Sequence, residues 1–227
     1  MSRRRLARGS VVTLALVLPF VACSSPEPPG DDGGAIGCKL DFIGDPNAPM
    51  ELSVTALGPG FVESPLSEGA SASLIFPPQG GRVLFAGVRV KNVDPCGIRL
   101  AGALRDPISK QVRLDNRILN LKPSADGYGV SDPMDISSFA NIPACPNQWS
   151  SQDVFDKPHE LTVSVTDRDK RQATVVLNVV PRCDEQGFEA DCRCICDVDY
   201  VLGAQCDDAG LVEMPDAGAD DATDGGP

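Results

Sequence analysis

The stretch that decides the fold is ELTVSVTDRDKRQATVVLNVVPRC, residues 160–183. Apolar and polar side chains alternate before and after the polar segment DRDK, residues 167–170. Strict alternation places one apolar face on a half-buried strand, and a short polar segment between two such runs is typical of a hairpin. This stretch therefore predicts two antiparallel strands joined by a turn at 167–170.

Five earlier segments show the same strand pattern: 51–57, 70–76, 82–93, 98–104 and 111–121. Within 82–93, Gly87 interrupts the apolar set and predicts a β-bulge. No segment keeps a helical apolar period. Seven strands separated by polar turns predict an all-β protein, with residues 38–182 forming an antiparallel β-sandwich.

Residues 122–159 break this strand spacing with five prolines and hold four aromatic residues, Tyr128, Phe139, Trp149 and Phe155. A connection of this length is either functional or pinned to the domain. Two interpretations follow: the rings form a small core of their own beneath a disulfide of Cys145, or the segment is a ligand-binding loop that uses Trp149.

The closing hairpin and the segment GVRVKNVDPCG, residues 87–97, resemble strands of bacterial immunoglobulin-like surface domains. The resemblance implies an immunoglobulin-like sandwich and carries no information about a ligand, because one fold serves many functions.

The N-terminus has the pattern of an export signal. Four arginines in residues 1–10 precede an apolar run at 11–22 that is too short for a membrane span, which predicts a signal peptide over residues 1–22. The junction FVAC, residues 20–23, resembles the lipobox of bacterial lipoproteins, which implies diacylglyceryl attachment at Cys23 and anchoring of the chain in a membrane. Ser24 after the cysteine favours the outer membrane. The alternative is an ordinary secreted protein whose Cys23 joins a disulfide.

The segment SRRRLAR, residues 2–8, also resembles a twin-arginine signal, but a generic arginine-rich leader is the favoured interpretation. The residues that follow, 23–37, are rich in Pro, Gly and acids and predict a flexible tether.

The nine cysteines support this assignment, because lipidation of Cys23 leaves an even number, as four disulfides require. Our hypothesis pairs Cys96 with Cys145 and Cys38 with Cys183, and places two further bridges among the last four cysteines. The eight residues are Cys38, Cys96, Cys145, Cys183, Cys192, Cys194, Cys196 and Cys206.

Residues 183–206 are predicted to form a separate cysteine-rich segment held by disulfides. Cys194-Ile-Cys196, followed by Tyr200, Gly203 and Cys206, resembles the second half of an EGF-like module, but too few cysteines are present for a complete one. In a reducing compartment this spacing would suggest a thiolate metal site, whereas export favours disulfides.

Charge excludes one class of partner. Loss of residues 1–22 lowers the net charge from −12 to −16, which disfavours nucleic-acid binding. The acidic tail, residues 207–227, is predicted to be disordered.

Against this acidic background, the strands between residues 82 and 122 are basic. Strand alternation places six cations on faces opposite apolar residues, which predicts a basic face that binds an anionic envelope polymer, a protein partner or the acidic tail. The alternative is a solvated surface without a ligand. The six residues are Arg89, Lys91, Arg99, Arg105, Arg113 and Arg117.

Catalytic motifs are not evident in the sequence. The single histidine, His159, is expected to be exposed, and the acidic pairs at 167–169 and 197–199 resemble turns more than calcium loops. We therefore expect a protein that is not an enzyme and that holds no cofactor or metal. The expected role is a lipid-anchored cell-surface protein that binds or supports an envelope protein or polysaccharide. The alternative is a carbohydrate-active hydrolase that uses a pair of carboxylates.

Overall fold

The computed structural model describes residues 37–207 and 210–212. The predicted signal peptide, the predicted lipidation site Cys23, residues 24–36 of the predicted tether and most of the acidic tail lie outside these residues. Within them the chain forms thirteen strands and one short α-helix. The strands are β1 Glu51–Gly58, β2 Val62–Pro65, β3 Ser71–Ser73, β4 Arg82–Lys91, β5 Ile98–Arg105, β6 Val112–Leu119, β7 Lys122–Pro123, β8 Gly129–Val130, β9 Ala140–Cys145, β10 His159–Thr166, β11 Gln172–Arg182, β12 Gln205–Asp207 and β13 Gly210–Val212, and the helix is α1 Glu189–Ile195.

Two main sheets share one hydrophobic core. The first sheet has the order β2-β1-β4-β8-β7, with β9 also paired to β4, and the second has the order β3-β11-β10-β5-β6. All pairings are antiparallel except that of β3 with β11, which is parallel. Buried side chains from both sheets, such as Val88 and Leu100, belong to the same core cluster. The all-β prediction is confirmed, and one strand pair departs from the predicted antiparallel pattern.

All seven predicted strands are present. In most of them the alternation of apolar and polar side chains matches the alternation of more buried and more exposed positions. In β5, Ile98, Leu100 and Leu104 are buried while Arg99 is exposed and Arg105 partly so. The hairpin of β10 and β11 pairs continuously from His159 with Val179 to Thr166 with Gln172. The turn predicted at residues 167–170 is closed by a hydrogen bond from the Lys170 amide to the Asp167 carbonyl.

The predicted bulge at Gly87 is wrong. Gly87 pairs with Thr55 in regular register, and the irregularity in β4 lies between Arg82 and Val83. A Cβ atom at Gly87 would lie 2.5 Å from Cε1 of Phe139 and 2.6 Å from Oγ1 of Thr55. The glycine is therefore needed for close packing, since the Phe139 ring covers the backbone at this point.

The long connection contains strands β7, β8 and β9, and its aromatic residues do not form one cluster. Phe139 joins a small second core with Leu57 and Phe85, whereas Trp149 is buried in the main core. The Trp149 indole donates a hydrogen bond of 2.8 Å to the Ala144 carbonyl. Trp149 therefore pins the segment to the domain and is not an exposed ligand platform.

The four disulfides agree with the hypothesis in one bond, since only one of the two bridges predicted among the last four cysteines forms there, between Cys194 and Cys206. Cys38 is bonded to Cys96, Cys145 to Cys196, Cys183 to Cys192, and Cys194 to Cys206. The predicted pairs Cys96–Cys145 and Cys38–Cys183 are wrong because their members lie at opposite ends of the strands, and a disulfide requires Cα atoms within about 7 Å. Cys183, Cys192 and Cys196, whose sulfur atoms lie within 4.8 Å of one another, are all consumed by these bonds.

We call the end of the sheets that carries Cys38–Cys96 the tether end and the opposite end the distal end. The cysteine-rich segment packs at the distal end, where Arg82 fastens it. The Arg82 side chain is fully buried and binds Glu185 at 2.9 Å and Asp191 at 2.6 Å. Its guanidinium also lies near the rings of Phe76 and Phe188. This segment and the sheets consequently form one compact unit.

Strand β12 pairs with β13, so regular structure is present on both sides of residue 207, where the predicted tail begins. None of the helices among the described residues has the length and apolar character needed to cross a bilayer.

Candidate anion-binding cleft

The six predicted basic residues do not form one face, because they lie on two sheets. Arg89 and Lys91 belong to β4 in the first sheet, where the Arg89 guanidinium lies over the Tyr128 ring and forms an ion pair with Asp126. The hydrogen bond from Arg89 lowers the pKa of Asp126. Arg89 is therefore already engaged by neighbours from the long connection.

In the second sheet the prediction holds for β5 and fails for β6. Arg99 and Arg105 lie on the outer face, opposite Leu100 and Leu104, as predicted. Arg113 is paired with Leu104 and Arg117 with Leu100, so both arginines lie on the inner side of the edge strand β6. Three of the four outer positions of β6 are apolar, namely Val112, Leu114 and Ile118, and Leu114 is 65% exposed.

Arginine side chains can lie on the inner side of β6 because polar side chains, and not apolar core residues, surround them at this sheet edge. Arg117 binds Asp115 at 2.6 Å, and Asp115 accepts a hydrogen bond of 2.8 Å from the backbone of Asn141 on β9. Arg105 on the outer face forms a 3.4 Å ion pair with Glu160. Arg99 lines a cleft together with residues of the turn between β10 and β11.

This cleft has a volume of about 350 Å³ and lies between the start of β5, the end of β6 and the turn that joins β10 to β11. Arg99, Arg168 and Lys170 supply positive charge, and Ile118 supplies an apolar wall. Pairing of Arg99 with Ile118 on one side and Thr166 on the other brings the turn beside the strand. We refer to this site as the cationic cleft.

The single carboxylate in the lining, that of Asp167, is neutralised by Arg171. Asp167 is buried and accepts hydrogen bonds from the backbone amide and the Nε of Arg171, at 2.9 and 3.0 Å. Arg171 also donates to the backbone carbonyls of Pro46 and Asn92. This network holds the turn rigidly, so Asp167 supports the cleft and does not cancel the charge of Arg99 or Lys170.

Arg168 is also oriented by a partner. Its Nε and Nη2 donate to the Asp94 carboxylate at 3.0 and 2.6 Å. Guanidinium and ammonium groups around one opening suit phosphate or carboxylate oxygens, which form charge-assisted hydrogen bonds with both. The cleft therefore carries donors of this kind, and the Asp94 carboxylate balances the charge of Arg168.

The cleft lies at the tether end. Gly97, which follows Cys96, is part of its lining, and Cys96 is bonded to Cys38 near the start of the described chain. Sequence reasoning identified Arg99 but assigned residues 167–170 only to a turn. The missing signal was spatial, because strand pairing across three chain segments brings Arg168 and Lys170 beside Arg99.

His159 lies at the distal end and is buried, so its predicted exposure is wrong. Its Nε2 is 3.2 Å from the Ser150 hydroxyl, and its Nδ1 is 3.2 Å from the Lys157 carbonyl. Burial lowers the pKa of His159. These contacts, together with packing against Trp149, explain why a polar ring is accommodated in the interior.

Comparison of the chain with protein-family models, with curated proteins and with solved structures found no match in any of the three.

Proposed function

We propose that this is an exported, lipid-anchored protein of the cell envelope that binds anionic groups of an envelope polymer or protein partner through the cationic cleft. The observation that carries the proposal is the convergence of Arg99 and Lys170, together with Arg168 held by Asp94, on one opening at the tether end. The proposed role is binding and not catalysis, and it requires no cofactor.

Export is supported by the disulfides, because such bonds persist in oxidising compartments. Eight of the nine cysteines are paired, and Cys23 is the remaining one. That remainder agrees with lipidation of Cys23 after removal of residues 1–22, and Ser24 supports an outer-membrane location.

We further propose that the two sheets form an immunoglobulin-like sandwich. The shared core of the sheets and the long hairpin of β10 and β11 support this assignment. The EGF-like resemblance of the cysteine-rich segment is a hypothesis: of the three cysteines that carry it, Cys194 is bonded to Cys206, and Cys196 is bonded to Cys145 outside the segment.

The cleft is tested by binding of the full chain to lipopolysaccharide, an anionic envelope polymer. Arg99→Ala combined with Lys170→Ala should weaken binding by about fivefold at low salt, since exposed charges each contribute modestly. Physiological salt should reduce the effect, because the Debye length falls to about 8 Å.

Arg113→Ala combined with Lys157→Ala is the charge-matched control, because it removes two cations outside the cleft and should leave binding within error of the wild type. Equal losses in both double variants would mean that net charge alone governs binding. Absence of binding, or unchanged binding in the cleft variant, would contradict the proposal.

The anchor is tested separately by expressing the chain in a bacterium with labelled palmitate. The wild type should incorporate the label and partition into detergent, and Cys23→Ser should abolish both. Labelling that survives in Cys23→Ser would exclude this cysteine as the acylation site.

A further inference from the structure

A second recess, shallow and wide open to solvent, with a volume of about 420 Å³, lies at the distal end of the second sheet. It is formed by the turn between β5 and β6, the residues that follow β9, and part of the cysteine-rich segment. Since β5 has eight residues and a strand rises about 3.4 Å per residue, the recess lies about 25 Å from the cationic cleft.

The lining of this recess differs chemically from that of the cleft. Serine, asparagine and glutamine side chains line it together with Trp149, Val198 and Tyr200, and none of its described lining residues is charged. Nearly a quarter of the whole chain is charged, so an uncharged polar lining distinguishes this place on the surface.

Buried polar groups hold the walls of the recess in place. The Asp106 carboxylate is buried and accepts hydrogen bonds from the amides and hydroxyls of both Ser109 and Ser151, which belong to opposite walls. The buried Asn147 side chain accepts from the Ser150 amide at 3.0 Å and donates to the Gln152 carbonyl at 3.0 Å. The recess therefore has a fixed shape before any ligand binds.

The third wall is fixed by covalent and backbone links to the cysteine-rich segment. Cys145 is bonded to Cys196, and the Asn147 amide donates to the Ile195 carbonyl at 2.8 Å. The Val198 amide donates to the Asp153 carboxylate at 3.1 Å. Tyr200 consequently stands at a defined position relative to the other walls.

Against this rigid frame, two side-chain amides remain available. Gln111 and Gln148 are exposed, and within the described part of the chain neither side-chain amide forms a hydrogen bond. Each amide offers one carbonyl acceptor and two N–H donors. The Tyr200 hydroxyl donates to the Ala204 carbonyl at 3.3 Å, so its ring is held while part of its surface stays accessible.

We propose that the distal recess binds a neutral polysaccharide. Sugar hydroxyls both donate and accept hydrogen bonds, as the amides of Gln111 and Gln148 do, and the Tyr200 ring offers an apolar surface for the C–H face of a pyranose. The uncharged lining offers no ion pair to a charged polymer. The recess is a site independent of the cationic cleft, and its ligand is chemically distinct from the anion proposed there.

The experiment is affinity electrophoresis of the full chain under nonreducing conditions in gels that contain dextran, mannan or xyloglucan as separate neutral probes. We expect at least one of the three to retard the protein. Gln148→Ala combined with Tyr200→Ala should weaken that binding by about tenfold or more, since truncation of an aromatic contact removes a large share of binding energy. Tyr200→Phe should retain binding, because it keeps the ring and loses only the hydroxyl.

The matched control is Gln172→Ala combined with Tyr128→Ala, which removes the same two side-chain types far from the recess and should bind like the wild type. Intrinsic Trp149 fluorescence verifies that each variant is folded. Lack of retardation by all three polymers, or equal retardation of the recess variant and the control, would overturn the proposal. Neither result would bear on binding of lipopolysaccharide by the cationic cleft.

Discussion

Replacement of Asp106 by asparagine should destabilise the protein more than any exposed charge removal. The carboxylate is fully buried and accepts five hydrogen bonds, one at Oδ1 from the Ile108 amide and four at Oδ2 from Ser109 and Ser151. Two of the Oδ2 contacts are only 2.6 Å long, as expected for bonds to an ionised oxygen.

The magnitude follows from the geometry of the amide. In either orientation the new NH2 group must face at least one backbone N–H that previously donated to the carboxylate. A buried donor without a partner costs about 1–3 kcal/mol, and the remaining bonds lose their ionic character. We expect Asp106→Asn to lower the free energy of unfolding by about 3 kcal/mol.

The effect should depend on pH with a defined sign. Burial alone would raise the pKa of Asp106, but hydrogen bonds from Ser109, Ile108 and Ser151 outweigh it and hold the pKa below its ordinary value. A carboxylate with a lowered folded pKa stabilises the fold above its unfolded pKa of about 3.9, and this contribution is lost as pH falls toward the folded pKa. The difference between wild type and Asp106→Asn should therefore be largest near neutral pH and shrink below about pH 4.

Urea unfolding followed by the fluorescence of Trp149, the single tryptophan, measures both quantities under nonreducing conditions. Asp169→Asn, in the exposed turn between β10 and β11, is the matched control and should change stability by less than about 0.5 kcal/mol. A loss below about 1 kcal/mol for Asp106→Asn, or a difference from wild type that does not change between pH 7 and about pH 3, would refute this account of the carboxylate.

Two further substitutions test the packing of the domain. Gly87→Ala should lower stability by about 2 kcal/mol, because the new methyl group collides with the Phe139 ring; Gly58→Ala, whose nearest contact is an ordinary 3.4 Å, should cost clearly less in the same urea titration. Arg82→Met should cost about 3 kcal/mol and increase amide hydrogen exchange in the cysteine-rich segment, because it leaves two carboxylates without their buried partner. Arg105→Ala, which removes an exposed ion pair, should cost less than about 1 kcal/mol, and similar losses in both arginine variants would argue against a special role for the buried guanidinium.

The strands were predictable from the sequence where one face of a strand is fully covered. In β5 the alternation of Leu100 and Leu104 with Arg99 and Arg105 suffices to assign both faces. In β6 the alternation is equally clear, yet Leu114 faces outward. A shift of one residue in pairing exchanges the two faces of a strand, and at a sheet edge the polar contacts of Asp115 can determine which register is adopted.

The strand β9 and the disulfide pairing were not predictable for related reasons. Pro143 and small side chains weaken the strand pattern of ANIPAC, residues 140–145, and pairing with the long strand β4 overrides that weak propensity. Disulfide connectivity depends on which ends of the strands meet, as Cys145 and Cys196 show. Only part of the cationic cleft was predictable. Arg99 belongs to the basic stretch of the sequence, whereas the role of Lys170 depends on where the turn between β10 and β11 lies in three dimensions.

The placement of the disulfides has a mechanical consequence. The Cys38–Cys96 bond joins the first described residues to the start of β5, and the other three disulfides lie at the distal end. A pulling force applied between the two ends would run parallel to β5 and β10. Ladder hydrogen bonds lie perpendicular to strands, so such a force would load them together in shear instead of opening them one after another. The domain should therefore resist extension when tension is applied between its tether end and its distal end.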